Sequence, residues 1–414
     1  MTLTIERIEI LLLIAAVVAM LARRLRVPYS IGLVVAGIGL AMIPFAPYIQ
    51  LTKELIFSAF LPPLLFEAAF YLHWRQLRKD LTVVLTLATI GVLVSAAVTA
   101  FGMRYLAHWE WTGAAVFGVL IAATDPVSVI ATFKEAGARG RIRLLVEAES
   151  LFNDCTAAVA FTIALVFASG QSIGVASGIK TLSITVVGAL LSGTVVAGVT
   201  LLLAGATDDH LVEITFTTIA AYGSFLVAER FHFSGVLATV TAGLIIGNVG
   251  HLRLSSKSRE AVEGFWEYAA FVANSLIFLL IGMRVAQQNF SSVLIPAAIA
   301  IVLVTLSRAL AIYPCSLLFS RSALRIKSQH QHILFWGGLR GALALALALG
   351  LPAEVPHREE IVSVAFAVVA FSILVQGLTI KPLLRRMGEL STKAQATTGT
   401  QDKEKASEVD ISTS

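Results

Sequence analysis

Two apolar runs that contain acids decide how this chain folds: VFGVLIAATDPVSVIATF (116–133) and LLVEAESLFNDCTAAVAFTIALVF (144–167). Asp125 sits inside the first, and Glu149 and Asp154 lie inside the second. An ionisable group near the bilayer centre costs roughly 2.5–3.5 kcal/mol even on the lenient insertion scales, so such groups mark an ion or proton pathway. The first run also carries Thr124-Asp125-Pro126, where proline removes a backbone donor and steers the preceding residue away from helical geometry. The expectation is a membrane helix that unwinds beside a carboxylate.

The rest of the chain supports a membrane setting. Of 414 residues 57% are hydrophobic and 14% charged, with a mean hydropathy of +0.84, against about 25% charged in soluble domains. This excludes a sizeable water-soluble domain. A crossing helix needs about 20 mostly apolar residues, and cutting the chain at its polar loops gives about thirteen spans: 4–22, 27–45, 52–72, 80–103, 112–133, 144–169, 174–204, 211–229, 234–250, 260–283, 290–320, 328–350 and 358–380. The seventh and eleventh are long enough to tilt or to hide a break.

Basic loops test that segmentation, because cytoplasmic loops are enriched in Lys and Arg. One side carries Arg23, Arg24 and Arg26; Arg75, Arg78 and Lys79; Lys134, Arg139, Arg141 and Arg143; Arg253, Lys257 and Arg259; Arg321, Arg325 and Lys327; and Lys381, Arg385, Arg386 and Lys393. The other has only Arg7, Lys53, Arg104, Arg230, Arg284 and Arg358. The single misfit is the loop around Asp208 and Asp209, which should be cytoplasmic and has no Lys or Arg. The pattern places the N-terminus outside and the C-terminus inside. It also accounts for the net charge of +5 without a nucleic-acid partner.

The N-terminus has acids before its apolar stretch and arginines after it, the reverse of a signal peptide, and reads as an uncleaved first span. Residues 386–414 are polar and too poor in apolar side chains to fold, so they read as a short disordered cytoplasmic tail. Cys155 and Cys315 fall in apolar runs without metal-type spacing and read as packing residues. Most of the eight histidines lie at span ends, where an interfacial role is the default.

The fold class is therefore an all-α polytopic membrane protein, and thirteen spans divide into six, a linker and six. That makes the halves two inverted six-helix repeats. Span five runs inward and span twelve outward, and both are interrupted: by Thr124-Asp125-Pro126 in the one and by FWGGLRGALAL (335–345), with Arg340 among Gly337, Gly338 and Gly341, in the other. Interrupted, crossing helices at corresponding places in two halves point to a transporter's binding site.

On span six, Glu149, Ser150, Asn153 and Asp154 stand at i, i+1, i+4 and i+5, an arc of roughly 140° on one helix face. A small hard cation such as sodium prefers oxygen ligands, and Asp154, Asp125, Ser150 and the Thr124 carbonyl supply that type. No His/Cys set suits a transition metal. Burial and a neighbouring like charge both favour the neutral form of a carboxyl, so a proton would compete with the cation for one site. Two deep arginines, Arg308 and Arg340, each need a partner. Our reading pairs Glu149 with Arg308 and leaves Arg340 to neutralise the broken helix ends; the alternative is Glu149–Arg340. Glu67 in span three is either a snorkelling residue close to His73 and Trp74 or an additional cation ligand.

At these residues the chain resembles the sodium/proton exchanger family, in its electroneutral, prokaryotic branch. The matching pieces are PPLLFEAAF (62–70), TDPVSV (124–129), ESLFND (149–154), SRAL (307–310) and GGLRGALAL (337–345). The resemblance implies an antiporter, not an enzyme and with no cofactor, that exchanges Na+ or Li+ for H+ in the cell membrane and serves pH homeostasis. It implies a homodimer of a transmembrane domain (1–385) with a dimerisation part (spans 1–3 and 7–10) and a core (spans 4–6 and 11–13) that slides like an elevator. It implies that Asp154 carries the ion, assisted by Asp125, Ser150 and the Thr124 carbonyl, with Glu67 able to join. The pair Asn153–Asp154 goes in that family with one-for-one exchange. Cys155 departs from the small residue usual at its place.

Three other readings share parts of this pattern. Potassium/proton exchange would use similar ligands. An intramembrane aspartyl protease would use Asp125 and Asp154 as a dyad sharing a proton, but it leaves both arginines without a role. A passive channel needs a pore lined by repeated polar residues, which the other spans lack.

Overall fold

In the computed structural model, residues 2–25, 27–43, 49–125, 130, 133, 140–168, 175–250 and 256–389 are described. The segment from Pro126, most of the loop with Lys134 and Arg139, Arg253, and the tail from 390 onward lie outside them. Every described element is helical. In chain order they are α1 (Thr2–Leu25), α2 (Tyr29–Ala41), α3 (53–70, with a π-turn at Ile56–Phe60), α4 (Trp74–Leu106, with a π-turn at Leu87–Gly91), α5 (Trp111–Leu120) and α6 (Arg141–Ala168). Then come α7 (Val175–Ala204), α8 (His210–Arg230), α9 (Gly235–Val249), α10 (Ser256–Ala286), α11 (Leu294–Leu318), α12 (Ser328–Trp336), α13 (Ala342–Leu349) and α14 (Arg358–Arg386, with a π-turn at Ser372–Gln376).

Seven of the described helices, α4, α6, α7, α8, α10, α11 and α14, are long and apolar enough to cross a membrane, and α2, α5 and α9 are shorter apolar helices. The protein is a multi-pass membrane protein. Of the two long runs, the seventh is continuous as α7 over Val175–Ala204, whereas the eleventh divides near its start into a 3-10 turn at Phe290–Ser292 and α11, which passes through Pro314. The acidic loop that departs from the basic pattern has a local reason for one of its acids. Asp209 accepts the Leu211 N–H at 2.9 Å as the N-cap of α8, a position that favours Asp strongly.

Helices α2 and α10 pack along each other, α3 lies against α9 and α10, and α7, α8 and α9 pack mutually. Elsewhere α4 packs on α5 and α11, α5 on α6, and α14 on α11 and α13. Without a hydrophobic force between helices in lipid, such contacts depend on close approach, which small residues permit. Gly37 of α2 faces the Leu279 carbonyl of α10 and Gly282 of α10 faces the Val34 carbonyl of α2, each with no room for a Cβ. The same device joins α4 and α5, where Gly118 sits on the Ala96 carbonyl.

Candidate functional site

The non-helical stretch that follows α5 meets the one between α12 and α13. α5 ends at Leu120 and the chain is non-helical through 123–125; α12 ends at Trp336, and α13 begins only at Ala342. The Asp125 N–H donates to the Leu339 carbonyl at 2.7 Å, so one unwound stretch is hydrogen-bonded directly to the other. Gly341 lies against the Asp125 carboxylate so closely that a Cβ would overlap it. Pro126, the residue from which the first break was argued, is outside the described residues.

Arg340 holds the crossing together electrostatically. Buried at 2% exposure, it donates through Nη1 to the carbonyls of Ala122 and Ala123, just past the C-terminal end of α5. Those carbonyls carry the negative pole of that helix, where a cation is stabilising. The Arg340 N–H itself donates to Ser372 Oγ at 2.8 Å, and the Ser372 hydroxyl donates to Gln376 Oε1 at 2.7 Å. Both residues sit on the π-turn of α14, an irregularity often found at functional sites.

The α6 face supplies the rest. Glu149, Ser150, Asn153 and Asp154 are all buried. Asn153 Oδ1 accepts the Thr124 N–H at 3.2 Å, while its Nδ2 donates to Thr124 Oγ1 and to Glu149 Oε1, both at 3.2 Å. The Thr124 and Ser150 hydroxyls are 3.0 Å apart. The amide of Asn153 therefore fixes the unwound backbone next to Asp125 and ties it to α6. From α11, Arg308 grips Glu149 with two bonds, Nη1 to Oε1 at 2.7 Å and Nη2 to Oε2 at 2.8 Å, and Nη2 also reaches the Leu334 carbonyl of α12 at 3.1 Å. This bidentate geometry is the strong form of the interaction.

Asp154 stands apart. It is 8% exposed, and its Oδ1 has no hydrogen-bond partner among the described residues. Asp125, Glu149 and Arg340 lie within electrostatic range of it. Glu149 is matched by Arg308 and Arg340 is turned to the Ala122 and Ala123 carbonyls, so the printed hydrogen bonds of both arginines go to groups other than Asp154. Among the described residues no three His, Cys, Asp or Glu side chains form a metal-type cluster, so the donor set is one of carboxylates, hydroxyls and carbonyls.

Glu67 is on α3, half-buried, and acts electrostatically on Tyr29 and Tyr71; Tyr29 is also within range of Asp125 and is hydrogen-bonded to Asn274 of α10. Tyr29 is thus within electrostatic range of both acids. Sequence reasoning missed Ser372 and Gln376, because a serine and a glutamine in an apolar run carry no distinctive signal. It also missed Asp80, buried at 7% exposure and paired with Arg141 at 2.7 Å. His330 departs from the interfacial default: it is buried, with Nε2 3.0 Å from Glu389 Oε1. Cys155 is a buried free thiol donating to the Leu151 carbonyl at 3.3 Å.

A helical bundle in which the non-helical stretch after α5 is hydrogen-bonded to the one between α12 and α13, beside buried carboxylates, fits a class, the secondary transporters with discontinuous helices. Within it, the chain belongs to the sodium/hydrogen exchanger family: the model of that family's transmembrane region, "Sodium/hydrogen exchanger, transmembrane", matches residues 11–386. The family is one of transporters, not enzymes. The chain is 40% identical over 394 residues to the Na(+)/H(+) antiporter NhaG of Bacillus atrophaeus, covering 91% of this chain and 74% of that one. It is 38% identical over 377 residues to the Na(+)/H(+) antiporter ApNhaP of Aphanothece halophytica, covering 90% and 72%. In fold it is similar to the sodium proton antiporter MjNhaP1 of Methanocaldococcus jannaschii, with a TM-score of 0.74 at 20% identity over 94% of this chain and 97% of that one.

Proposed function

We propose that this protein is a secondary active antiporter that exchanges Na+ or Li+ for H+ across the cell membrane, one for one, by elevator-type alternating access. The observation that carries the reading is the buried Asp154, whose Oδ1 has no hydrogen-bond partner among the described residues, near the joined non-helical stretches. In this reading Asp154 holds either the cation or the proton, while Asp125, Ser150 and the Thr124 carbonyl complete the cation's oxygen shell and Glu67 can join it. Asn153 keeps Thr124 in place and, being an amide, adds no charge. Glu149 and Arg308 form scaffold.

The loaded forms then carry equal charge, since one Na+ replaces one H+. An empty site would cross with a bare buried carboxylate, which is strongly unfavourable, so the cycle is held to exchange. The core is α4–α6 with α11–α14, sliding against α1–α3 and α7–α10, in a homodimer of thirteen-span protomers with the N-terminus outside and the C-terminus in the cytoplasm. The similarity to proteins named Na(+)/H(+) antiporters supports the ion pair.

The test is dequenching of a pH dye in everted vesicles, scanned over sodium, lithium and potassium at several pH values. Sodium and lithium should collapse the proton gradient, and Asp154→Asn should abolish the response while the protein still inserts. Exchange with potassium alone would replace the sodium assignment by potassium/proton exchange; full activity of Asp154→Asn would remove Asp154 as the carrier.

A further inference from the structure

The link between α3 and α4 joins the two bodies that must move past each other, and it is fastened at both ends. Asn248 of α9 commits its whole side-chain amide to that link and its own helix: Oδ1 accepts the Trp74 N–H at 2.7 Å, and Nδ2 donates to the Leu72 carbonyl at 2.8 Å and to the Leu244 carbonyl at 2.9 Å. Close by, the Tyr71 hydroxyl donates to the Glu263 carbonyl of α10 at 3.2 Å. Residues 71–74 are therefore bound to α9 and α10. Six residues further along, Asp80 receives the Arg141 guanidinium of α6 through Nε at 2.9 Å and Nη2 at 2.7 Å. The same guanidinium donates to the carbonyls of Leu324, at 2.8 Å, and Arg325, at 2.7 Å, in the connection from α11 to α12. Asp80 is therefore bound to α6 and the α11–α12 link.

Between the two fastenings lie only Arg75, Gln76, Leu77, Arg78 and Lys79, all exposed but Leu77. We infer that residues 75–79 are the hinge between the fixed and moving bodies on the face that the proposed topology makes cytoplasmic, and that Asn248 is the positioning residue that holds the hinge's stationary end. The inference rests on the division into core and dimerisation parts given above. A helix start whose side chains other than Leu77 are exposed opens at low free energy, whereas the bonds of Asn248 to Leu72 and Leu244 and of Arg141 to Asp80 and Leu324 are partly buried. Displacement of the core is absorbed between the fastenings. Because hinge positions can set the conformational step of a transport or catalytic cycle, loss of Asn248 acts on turnover before it acts on ion affinity. A role confined to capping α4 would lower stability and leave both unchanged.

The experiment uses the full chain in proteoliposomes, with Asn248→Ala and with Asn248→Asp, which keeps the acceptor for Trp74 and lacks the donors. Sodium-driven proton flux is measured, together with hydrogen–deuterium exchange in sodium and in choline at one pH. We expect sodium to alter exchange in 75–79 and not in 71–74 of the parent. In Asn248→Ala, turnover falls about tenfold with KM for sodium held within about twofold, and the sodium-dependent change spreads into 71–74; Asn248→Asp falls less. Turnover of Asn248→Ala within about twofold of the parent, a change confined to KM, or parental exchange changes that include 71–74 would each overturn the hinge. A parent without sodium-driven flux would instead refute the antiport reading, and the deuterium arm would still decide where the chain bends.

Discussion

Replacing Arg308 by Ala tests whether Glu149 is scaffold or ligand, and the geometry sets the size of the effect. The substitution deletes two charge-assisted bonds to a carboxylate that is 1% exposed, together with the donor to the Leu334 carbonyl. Breaking a buried pair from one side costs about 3–5 kcal/mol, because the remaining charge has no partner. Unfolding entropy grows with chain length, so at this size 1 kcal/mol corresponds to about 1–2 °C and the midpoint should fall by roughly 3–10 °C. The assay is thermal unfolding in detergent followed by tryptophan fluorescence, repeated over a sodium titration. Sodium affinity should change by less than about threefold, a difference below 1 kcal/mol. The double variant Arg308→Met with Glu149→Gln removes both charges and should recover most of the lost midpoint, since apolar or neutral replacement of a whole buried pair is often close to neutral. Two results would refute the reasoning: an unchanged midpoint, or sodium affinity lost while the midpoint barely moves.

Two further outcomes are expected. Gly341→Ala places a methyl group in the space of the Asp125 carboxylate and should cut turnover at least about tenfold without preventing insertion, because a small displacement at a binding site costs far more in rate than in fold; near-parental flux would show that the crossing yields easily. One-for-one exchange should be indifferent to a potassium–valinomycin potential, whereas one uncompensated elementary charge would be worth about 2.3 kcal/mol per 100 mV, roughly fifty-fold, so a clear voltage dependence would exclude it.

The sequence was most legible where its chemistry is costly. Acids and arginines in apolar runs announce themselves because few arrangements can keep them there, and that cost pointed to Asp125, Glu149, Asp154, Arg308 and Arg340 as one constellation. The breaks were legible for a related reason, since a Thr-Asp-Pro step and three glycines around an arginine are poor helix. Between the two available arginines, sequence could rank but not decide, because the choice depends on which helix crosses which. Asn248 and Arg141 were illegible. An asparagine at the end of an apolar run and an arginine in a basic loop are ordinary residues, and their importance arises from backbone groups brought to them by the fold. The π-turns at 56–60, 87–91 and 372–376 left no trace either, for they depend on a registry change in hydrogen bonding that apolar residues of any kind accept.

The bond from the Asp125 N–H to the Leu339 carbonyl has a consequence for how this protein can vary. It belongs to the peptide groups themselves, so almost any change of side chain on either stretch inherits it. Alanine scanning would pass over it without a signal, and divergence of the two halves could proceed around it indefinitely. Only a proline at 125, or an ester in place of that amide, would remove the donor. The joint between the two unwound stretches is thus written in the one part of the polymer that mutation hardly touches.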